Sequence, residues 1–324
     1  MIRRCVARAL ALIALAGALP VPVQAQKAWP DRPIRLVVPF PPGGSVDLVA
    51  RAIAPRLSQE LGQPVVVENK GGASGTIGSA EVARARPDGY TLLMVFDSHA
   101  TNGHLYKGLK YDTFESFEYV SQLVSAPMLV MAANRVAAKD LPAFIAYAKA
   151  NPGKVTYGSS GVGTSNHLYP LLLSERAQID TVHVPYKGGG PMLTDVLGGQ
   201  IDFVIATLPA VVQHVKSGAA KALAIAAPAR VPQLPEVPTV AETLPGFEAQ
   251  SWIGLLAPAG TPREIIEQLH RVVKRTLDAP EVGGRLAVDG FTLLASSPAE
   301  FRQRVQAESA RMGRLIRDKG VRVE

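Results

Sequence analysis

Short runs of Val, Ile and Leu alternate along the chain with longer segments that are apolar on one side only. The run Ile34–Val38 predicts a buried strand. In the next segment apolar residues recur at the spacing of one helix face, from Val46 to Leu61, which predicts a helix capped by Ser45 and ended by Gly62. The same order of strand and helix recurs through residue 227, so we expect an α/β fold with parallel-type sheets.

The N-terminal segment differs from this pattern. Arg3, Arg4 and Arg8 precede an apolar run at residues 9–19, and a small-x-small sequence ends at Ala25. The run is too short to span a bilayer, which needs about 20 apolar residues. Residues 1–25 are therefore predicted to be a secretory signal peptide, cleaved after Ala25, and the mature protein is expected to be periplasmic.

Composition excludes several classes of protein. The 324 residues suit two domains, and 47% hydrophobic with 19% charged residues excludes a disordered chain. Removing the three arginines of residues 1–25 lowers the formal charge from +7 to +4, so no nucleic-acid partner is expected. The one cysteine, Cys5, leaves with the signal peptide, so the mature chain is expected to have no thiolate metal site.

Catalytic signatures are missing from the sequence. There is no G-x-S-x-G, H-E-x-x-H, G-x-x-x-x-G-K-[ST] or G-x-G-x-x-G motif, and the six histidines are scattered. The one alternative for an enzyme is a hydrolase that pairs Ser160 or Ser165 with His167. Residues two apart at a helix start do not face each other, so we expect a binding protein without a cofactor or metal, not an enzyme.

Loops rich in Gly and hydroxyl residues follow several predicted strands. They are found at residues 43–47, 161–167 and 186–190, each before a predicted helix. A helix start presents unpaired backbone N–H groups to an anion, and glycine allows close approach. One exposed loop contributes too little for micromolar binding, so two loops from separate domains are expected to close on one carboxylate.

These loops lie within a wider set of motifs that resembles a known family. The set includes the run Trp29–Phe40 followed by Pro42-Gly43-Gly44-x-x-Asp47, the run Tyr157–Gly161 followed by x-Gly163-Thr164-Ser165-x-His167, and Val184-Pro185-Tyr186-Lys187-Gly188. In this order they closely resemble the Bug-type periplasmic receptors, the solute-binding proteins of tripartite tricarboxylate transporters. The match extends over nearly the whole mature chain.

The resemblance implies a periplasmic binding protein of type II, a venus flytrap of two domains joined by two crossing segments. Domain 1 would hold residues 26–126 and 247–324, and domain 2 residues 127–246. The protein would capture a small organic acid as a monomer and deliver it to the membrane permease subunits of a tripartite transporter. Presentation of the bound ligand to a sensor kinase is the alternative.

The resemblance also implies a ligand site on the facing loops. One wall would hold Phe40, Gly44, Ser45 and Asp47, and the other would hold Ser160, Gly163, Thr164, Ser165 and Tyr186. Asp47 has a second interpretation, as a brace for its loop. His99, which follows a predicted strand, and Thr207 are further candidates for the site.

One departure from the family bears on the ligand. Many relatives have an Asp-Asn-Leu-Pro-like run where this chain has Ala206-Thr207-Leu208-Pro209. Loss of that acid disfavours an ammonium group and favours an uncharged or anionic second end of the ligand. Asp97 weakens this inference because it could replace the missing charge, and the identity of the carboxylate stays open.

Overall fold

A computed structural model describes residues 29–247 and 249–323. The predicted signal peptide and its cleavage site after Ala25 lie outside the described residues. The strands are β1 (Ile34–Val38), β2 (Val65–Asn69), β3 (Thr91–Phe96), β4 (Phe117–Ala132), β5 (Val155–Ser159), β6 (Thr181–Pro185), β7 (Phe203–Thr207), β8 (Lys221–Ala226), β9 (Gln250–Pro258) and β10 (Thr292–Leu293). The helices are α1 (Ser45–Leu61), α2 (Thr76–Ala83), α3 (Ser98–Leu105), α4 (Leu141–Ala150), α5 (Ser165–Ala177), α6 (Gly189–Leu197), α7 (Leu208–Lys216), α8 (Arg263–Asp278), α9 (Arg285–Val288) and α10 (Pro298–Asp318).

The strands form two sheets that share β4, and the predicted α/β class is confirmed. The first lobe has the strand order β2-β1-β3-β9-β4-β10, and the second has β8-β4-β7-β5-β6. Pairing is parallel among β1, β2 and β3 and among β5, β6 and β7, as the alternation of strands and helices predicts. Both sheets are nevertheless mixed, because β4 and β9 run antiparallel to their neighbours.

The long strand β4 carries the chain from one lobe to the other. Its residues up to Pro127 pair with β9, whereas those from Met128 to Ala132 pair with β7 on one side and β8 on the other. The chain returns at Gln250, which pairs with Pro127. The predicted domain boundaries, after residues 126 and 246, remain a prediction. The change of partner strands at Pro127 supports the first boundary, whereas Phe247 and Ala249, beyond the second boundary, lie in the core cluster of the second lobe.

Hydrophobic packing follows the two lobes except at Leu105, which ends α3 and joins the core of the second lobe, and at the C-terminal helix. The face of α1 that the spacing predicts is buried, from Val46 to Leu61, and Gly62 ends this helix in a left-handed conformation with φ +67°. Helix α10 packs Phe301 against Trp252 of the first lobe. Further along the same helix, Ile316 lies in the core cluster of the second lobe. Helix α10 therefore contacts both lobes.

No helix within residues 29–247 and 249–323 is both long and apolar enough to cross a membrane.

The packing of α10 on β9 depends on a position without a side chain. A Cβ atom added to Gly254 would lie 2.0 Å from the Phe301 ring. Gly254→Ala is therefore expected to lower the free energy of unfolding by about 1–3 kcal/mol, because the ring must leave its position. Urea unfolding measures the change. Gly108→Ala is the matched control, since no atom lies within 4 Å of the added carbon; equal losses in the two variants would contradict this packing.

Candidate functional site

The starts of helices from the two lobes meet backbone to backbone. A Cβ atom on Gly44 would lie 3.9 Å from the Gly189 Cα. A Cβ atom on Gly190 would lie only 2.9 Å from the Pro42 carbonyl oxygen, so the start of α6 approaches the first lobe more closely than a side chain at that position permits. Beside them, the Ser45 hydroxyl forms a hydrogen bond with the Thr207 hydroxyl at the start of α7. The predicted cap is wrong: Gly44 is the N-cap of α1, and Ser45 directs its hydroxyl to the other lobe.

These groups enclose a cavity of about 30 Å³ between the lobes, which we call the interlobe cavity. Its lining residues are Phe40, Gly44, Ser45, Val46 and Phe96 from the first lobe and Ser160, Asn166, Gly189, Met192, Leu193, Ala206, Thr207 and Ala210 from the second. The volume suits about one water molecule. Entry of an organic acid therefore requires the lobes to separate.

Two further polar side chains reach the interlobe cavity from the second lobe. The Ser160 hydroxyl donates to Oδ1 of Asn166 at 2.7 Å, and Nδ2 of Asn166 donates to the Ile205 carbonyl at 2.8 Å. The sequence prediction included Ser160 but missed Asn166. Its position directly after the hydroxyl run at the start of a predicted helix was the available signal.

A second pocket, of about 210 Å³, opens next to the interlobe cavity and shares Phe40 and Ser160 with it. We call it the mouth pocket; Tyr186 and Lys187 also line it. The Tyr186 hydroxyl donates to Oδ2 of Asp195 at 2.7 Å. Burial, together with this hydrogen bond to a carboxylate, raises the pKa of Tyr186 to about 12. Tyr186 therefore lies near the mouth and outside the small cavity.

The prediction places Gly163, Thr164 and Ser165 in the cavity wall, but the loop at residues 161–165 does not line the interlobe cavity. The Gly163 carbonyl accepts a hydrogen bond from the Thr101 hydroxyl at 2.7 Å, and a Cβ atom on Gly163 would lie 2.0 Å from Leu105. Thr164 is fully buried and donates its hydroxyl to the Gly161 carbonyl. Positive φ at Gly161 and Gly163 turns the loop towards α3, so it joins the lobes there.

His99 belongs to the core of the first lobe, and its prediction as a cavity residue is wrong. Its ring stacks on Tyr111 and meets Phe117 edge-on, with centroids 6.2 and 5.3 Å apart. Nε2 lies 3.1 Å from the Thr113 carbonyl oxygen. Burial lowers the pKa of His99 to about 4, so the ring is neutral at pH 7 and packs as an aromatic residue.

Asp47 does not line the interlobe cavity. It braces the first glycine loop, which is the second of its two interpretations from the sequence. It accepts hydrogen bonds from the Gly43 N–H at 3.1 Å, from Nδ2 of Asn69 at 2.9 Å and from Nε of Arg51 at 3.0 Å. Burial alone would raise its pKa, but the hydrogen bonds from Arg51, Asn69 and Gly43 together lower it. The carboxylate thus fixes the loop that carries Gly44.

The hydrolase alternative lacks its serine–histidine pair. Ser160 donates to Asn166, and Nδ1 of His167 accepts the Gly163 N–H at 3.1 Å. A different pair does form, between the Ser159 hydroxyl and Nε2 of His183 at 2.7 Å, but Ser159 is fully buried and cannot reach a substrate. In the part of the chain that the structure describes, no group of three or more His, Cys, Asp or Glu side chains could hold a metal ion.

Asp97 links the lobes and does not replace the acid missing near Ala206. Its Oδ1 accepts the backbone N–H of Ser165, the first residue of α5, at 3.1 Å. Ala206 lines the interlobe cavity, whereas Asp97 does not. Burial raises the pKa of Asp97 to about 7, with nearby Glu308 adding to the rise, although hydrogen bonds from Ser165 and the charge of Arg304 act against it.

This pKa predicts how stability depends on pH. Between about pH 4 and pH 7 the folded protein holds a proton on Asp97 that the unfolded chain has released, so the free energy of unfolding falls as pH rises. The substitution Asp97→Asn should remove this pH-dependent loss of unfolding free energy, which is on the order of 2–4 kcal/mol. The variant should therefore be more stable than the unaltered protein above pH 7. Urea unfolding of both proteins from pH 4 to 8 measures it, and parallel pH profiles would contradict it.

Comparison with known proteins identifies the family. The family model described as "Tripartite tricarboxylate transporter family receptor" matches residues 49–321. BugT of Bordetella pertussis is 37% identical over 315 residues, covering 96% of both chains.

Two solved structures with bound acids share the fold. An R. palustris protein with adipate is 34% identical, with a TM-score of 0.88 over 91% of this chain and 100% of its own. MatC of Rhodopseudomonas palustris, with bound malate, is 35% identical, with a TM-score of 0.84 over 89% and 100%. The two-domain architecture of periplasmic binding proteins, expected from the sequence, is thereby confirmed, and this chain belongs to the receptor family of the tripartite tricarboxylate transporters.

Proposed function

We propose that this receptor captures a small organic acid between its lobes in the periplasm and delivers it to the membrane subunits of a tripartite transporter. The observation that carries the proposal is the interlobe cavity. Both lobes contribute its walls, and helix starts and hydroxyl groups meet there. No lining residue is charged, so the cavity offers a carboxylate neutral donors instead of a cationic side chain.

The helix starts supply the donors. The first N–H groups of α1, α6 and α7 have no partner within their own helices and carry the positive ends of the helix dipoles. Charge-assisted hydrogen bonds contribute about 1.5–3 kcal/mol each, and micromolar affinity requires about 8 kcal/mol. Several such bonds from both lobes are therefore needed, which couples tight binding to closure.

The known ligands of relatives support the carboxylate class. Adipate and malate are both small carboxylates, and each is bound by a protein of this fold at 34–35% identity to this chain. Closure around such a ligand also explains why the cavity walls come from separate lobes. Delivery to a permease is the family's role, and it is proposed here on that basis.

The hydroxyls that bridge the cavity provide the first test. Ser45→Ala combined with Thr207→Ala should weaken every organic acid that binds by at least ~10-fold, because two donors are lost. A thermal-shift screen of organic acids finds the ligands, since 100-fold excess over Kd adds about 2.7 kcal/mol of stability. Calorimetry then gives the affinities.

A matched control is available in the second lobe. Ser174 and Thr181 form a similar hydroxyl pair at 2.8 Å away from the cavity lining. Replacing both by Ala should leave affinities unchanged. Absence of any stabilising acid, or equal affinities in the cavity and control variants, would refute the proposed site.

Transport is tested in cells. Deletion of the gene should abolish uptake of the acid that binds, and the gene for the unaltered protein should restore it, whereas the Ser45→Ala/Thr207→Ala variant should not. Radiolabelled uptake measures this outcome. Normal uptake together with loss of ligand-induced transcription would instead support presentation to a sensor kinase.

A further inference from the structure

The wall of the interlobe cavity is apolar apart from hydroxyl groups, backbone and one amide. Its apolar side chains come from both lobes, and together they form most of the surface that a ligand would touch. They are Phe40, Val46, Phe96, Met192, Leu193, Ala206 and Ala210. Closure therefore places apolar side chains on two sides of whatever the cavity encloses.

The aromatic part of this wall is well defined. The rings of Phe40 and Phe96 meet edge to face, with centroids 6.0 Å apart and an interplanar angle of 81°. Both are buried, as are Met192 and Leu193 on the facing helix α6. Such a wall favours a hydrocarbon chain or an aromatic ring in the ligand.

The polar groups suffice for one carboxylate. The Ser45 and Thr207 hydroxyls bond to each other, the Ser160 hydroxyl donates to Asn166, and Asn166 donates to the Ile205 carbonyl. The side-chain groups available for a ligand are thus few, and they accompany the helix starts. A second charged group on the ligand would lose its hydration and lie against apolar side chains without a counter-charge, which costs binding free energy.

Charged side chains near the cavity either form hydrogen bonds within the protein or line the neighbouring mouth pocket. Asp47 bonds to Arg51 and Asn69, and Asp97 accepts the Ser165 N–H. Neither lines the interlobe cavity. Lys187 lines only the exposed mouth pocket. An ammonium would meet no acidic side chain within the cavity, and a second carboxylate would find neither a cation nor the neutral donors that the first carboxylate occupies.

We propose that the ligand is a monocarboxylic acid with an uncharged apolar body, such as an aliphatic chain or a single aromatic ring. This inference rests on the proposed function and narrows its ligand class. It separates this chain from the relatives solved with adipate and malate, both of which are dicarboxylates. It also excludes amino acids, because their ammonium group would face the same apolar wall.

Matched pairs of acids test the inference on the unaltered mature protein. Calorimetry compares hexanoate with adipate, benzoate with terephthalate, and 4-methylpentanoate with leucine; each pair differs by one charged group. The first member should bind at least ~30-fold more tightly in each pair that binds, because the added charge loses its water without compensation. If no acid binds, the proposed function fails; if adipate or leucine binds as tightly as its partner, the function stands and this inference is overturned.

Two variants locate the effect. Leu193→Gln should weaken binding of the preferred acid by at least ~10-fold, while Leu294→Gln, at a side chain that is 44% exposed, should not. If Leu193→Gln does not fold, the calorimetric comparison of matched acids on the unaltered protein still tests the inference. Lys187→Ala should leave hexanoate affinity unchanged. Tight adipate binding that is lost in Lys187→Ala would show a dicarboxylate reaching into the mouth pocket, and would overturn the inference.

Discussion

The proposed site depends on bringing helix starts from two lobes close enough to share one small anion. Gly190 has to lack a side chain there, because a Cβ atom on it would lie 2.9 Å from the Pro42 carbonyl oxygen of the other lobe. Each helix start alone offers a weak field to a solvated anion. Enclosure between lobes removes water and lets the neutral donors act together. This explains how a receptor can retain an acid without a cationic side chain among its cavity-lining residues.

In the proposed function, closure of the lobes and formation of the site are consequently one event. The walls belong to separate lobes, and β4 links the lobes through a change of partner strands at Pro127. Contacts away from the cavity hold the same closed arrangement, among them Thr101 with Gly163 and Asp97 with Ser165. The closed state therefore carries interactions of its own, and an acid too large for the cavity of about 30 Å³ must displace some of them.

Part of the site could be predicted because the backbone conformation of a loop before a helix depends on residues that are neighbours in the sequence. Glycine and hydroxyl residues before helices indicate anion-binding loops, and the loop at residues 43–47 does place Gly44 and Ser45 in the interlobe cavity, where Ser160 and Thr207 also lie. The same signal fails for Gly163 and Thr164, because loop composition does not tell which surface a loop will face. Nothing in the sequence indicates that Met192 and Leu193 line a cavity, since an apolar residue on a helix is equally consistent with a position in the hydrophobic core.

By itself, the sequence determined the α/β class, the bounds of β1 and, within one residue, of α1, and membership of the receptor family. These follow from hydrophobic periodicity, glycine stop signals and motif order, which are properties of neighbouring residues. Only the tertiary structure decided that His99 joins an aromatic core, that Asp97 joins the lobes, and that the cavity wall is apolar. Each of these depends on the packing of segments distant in the chain, because burial and partners are set by three-dimensional proximity and not by local pattern.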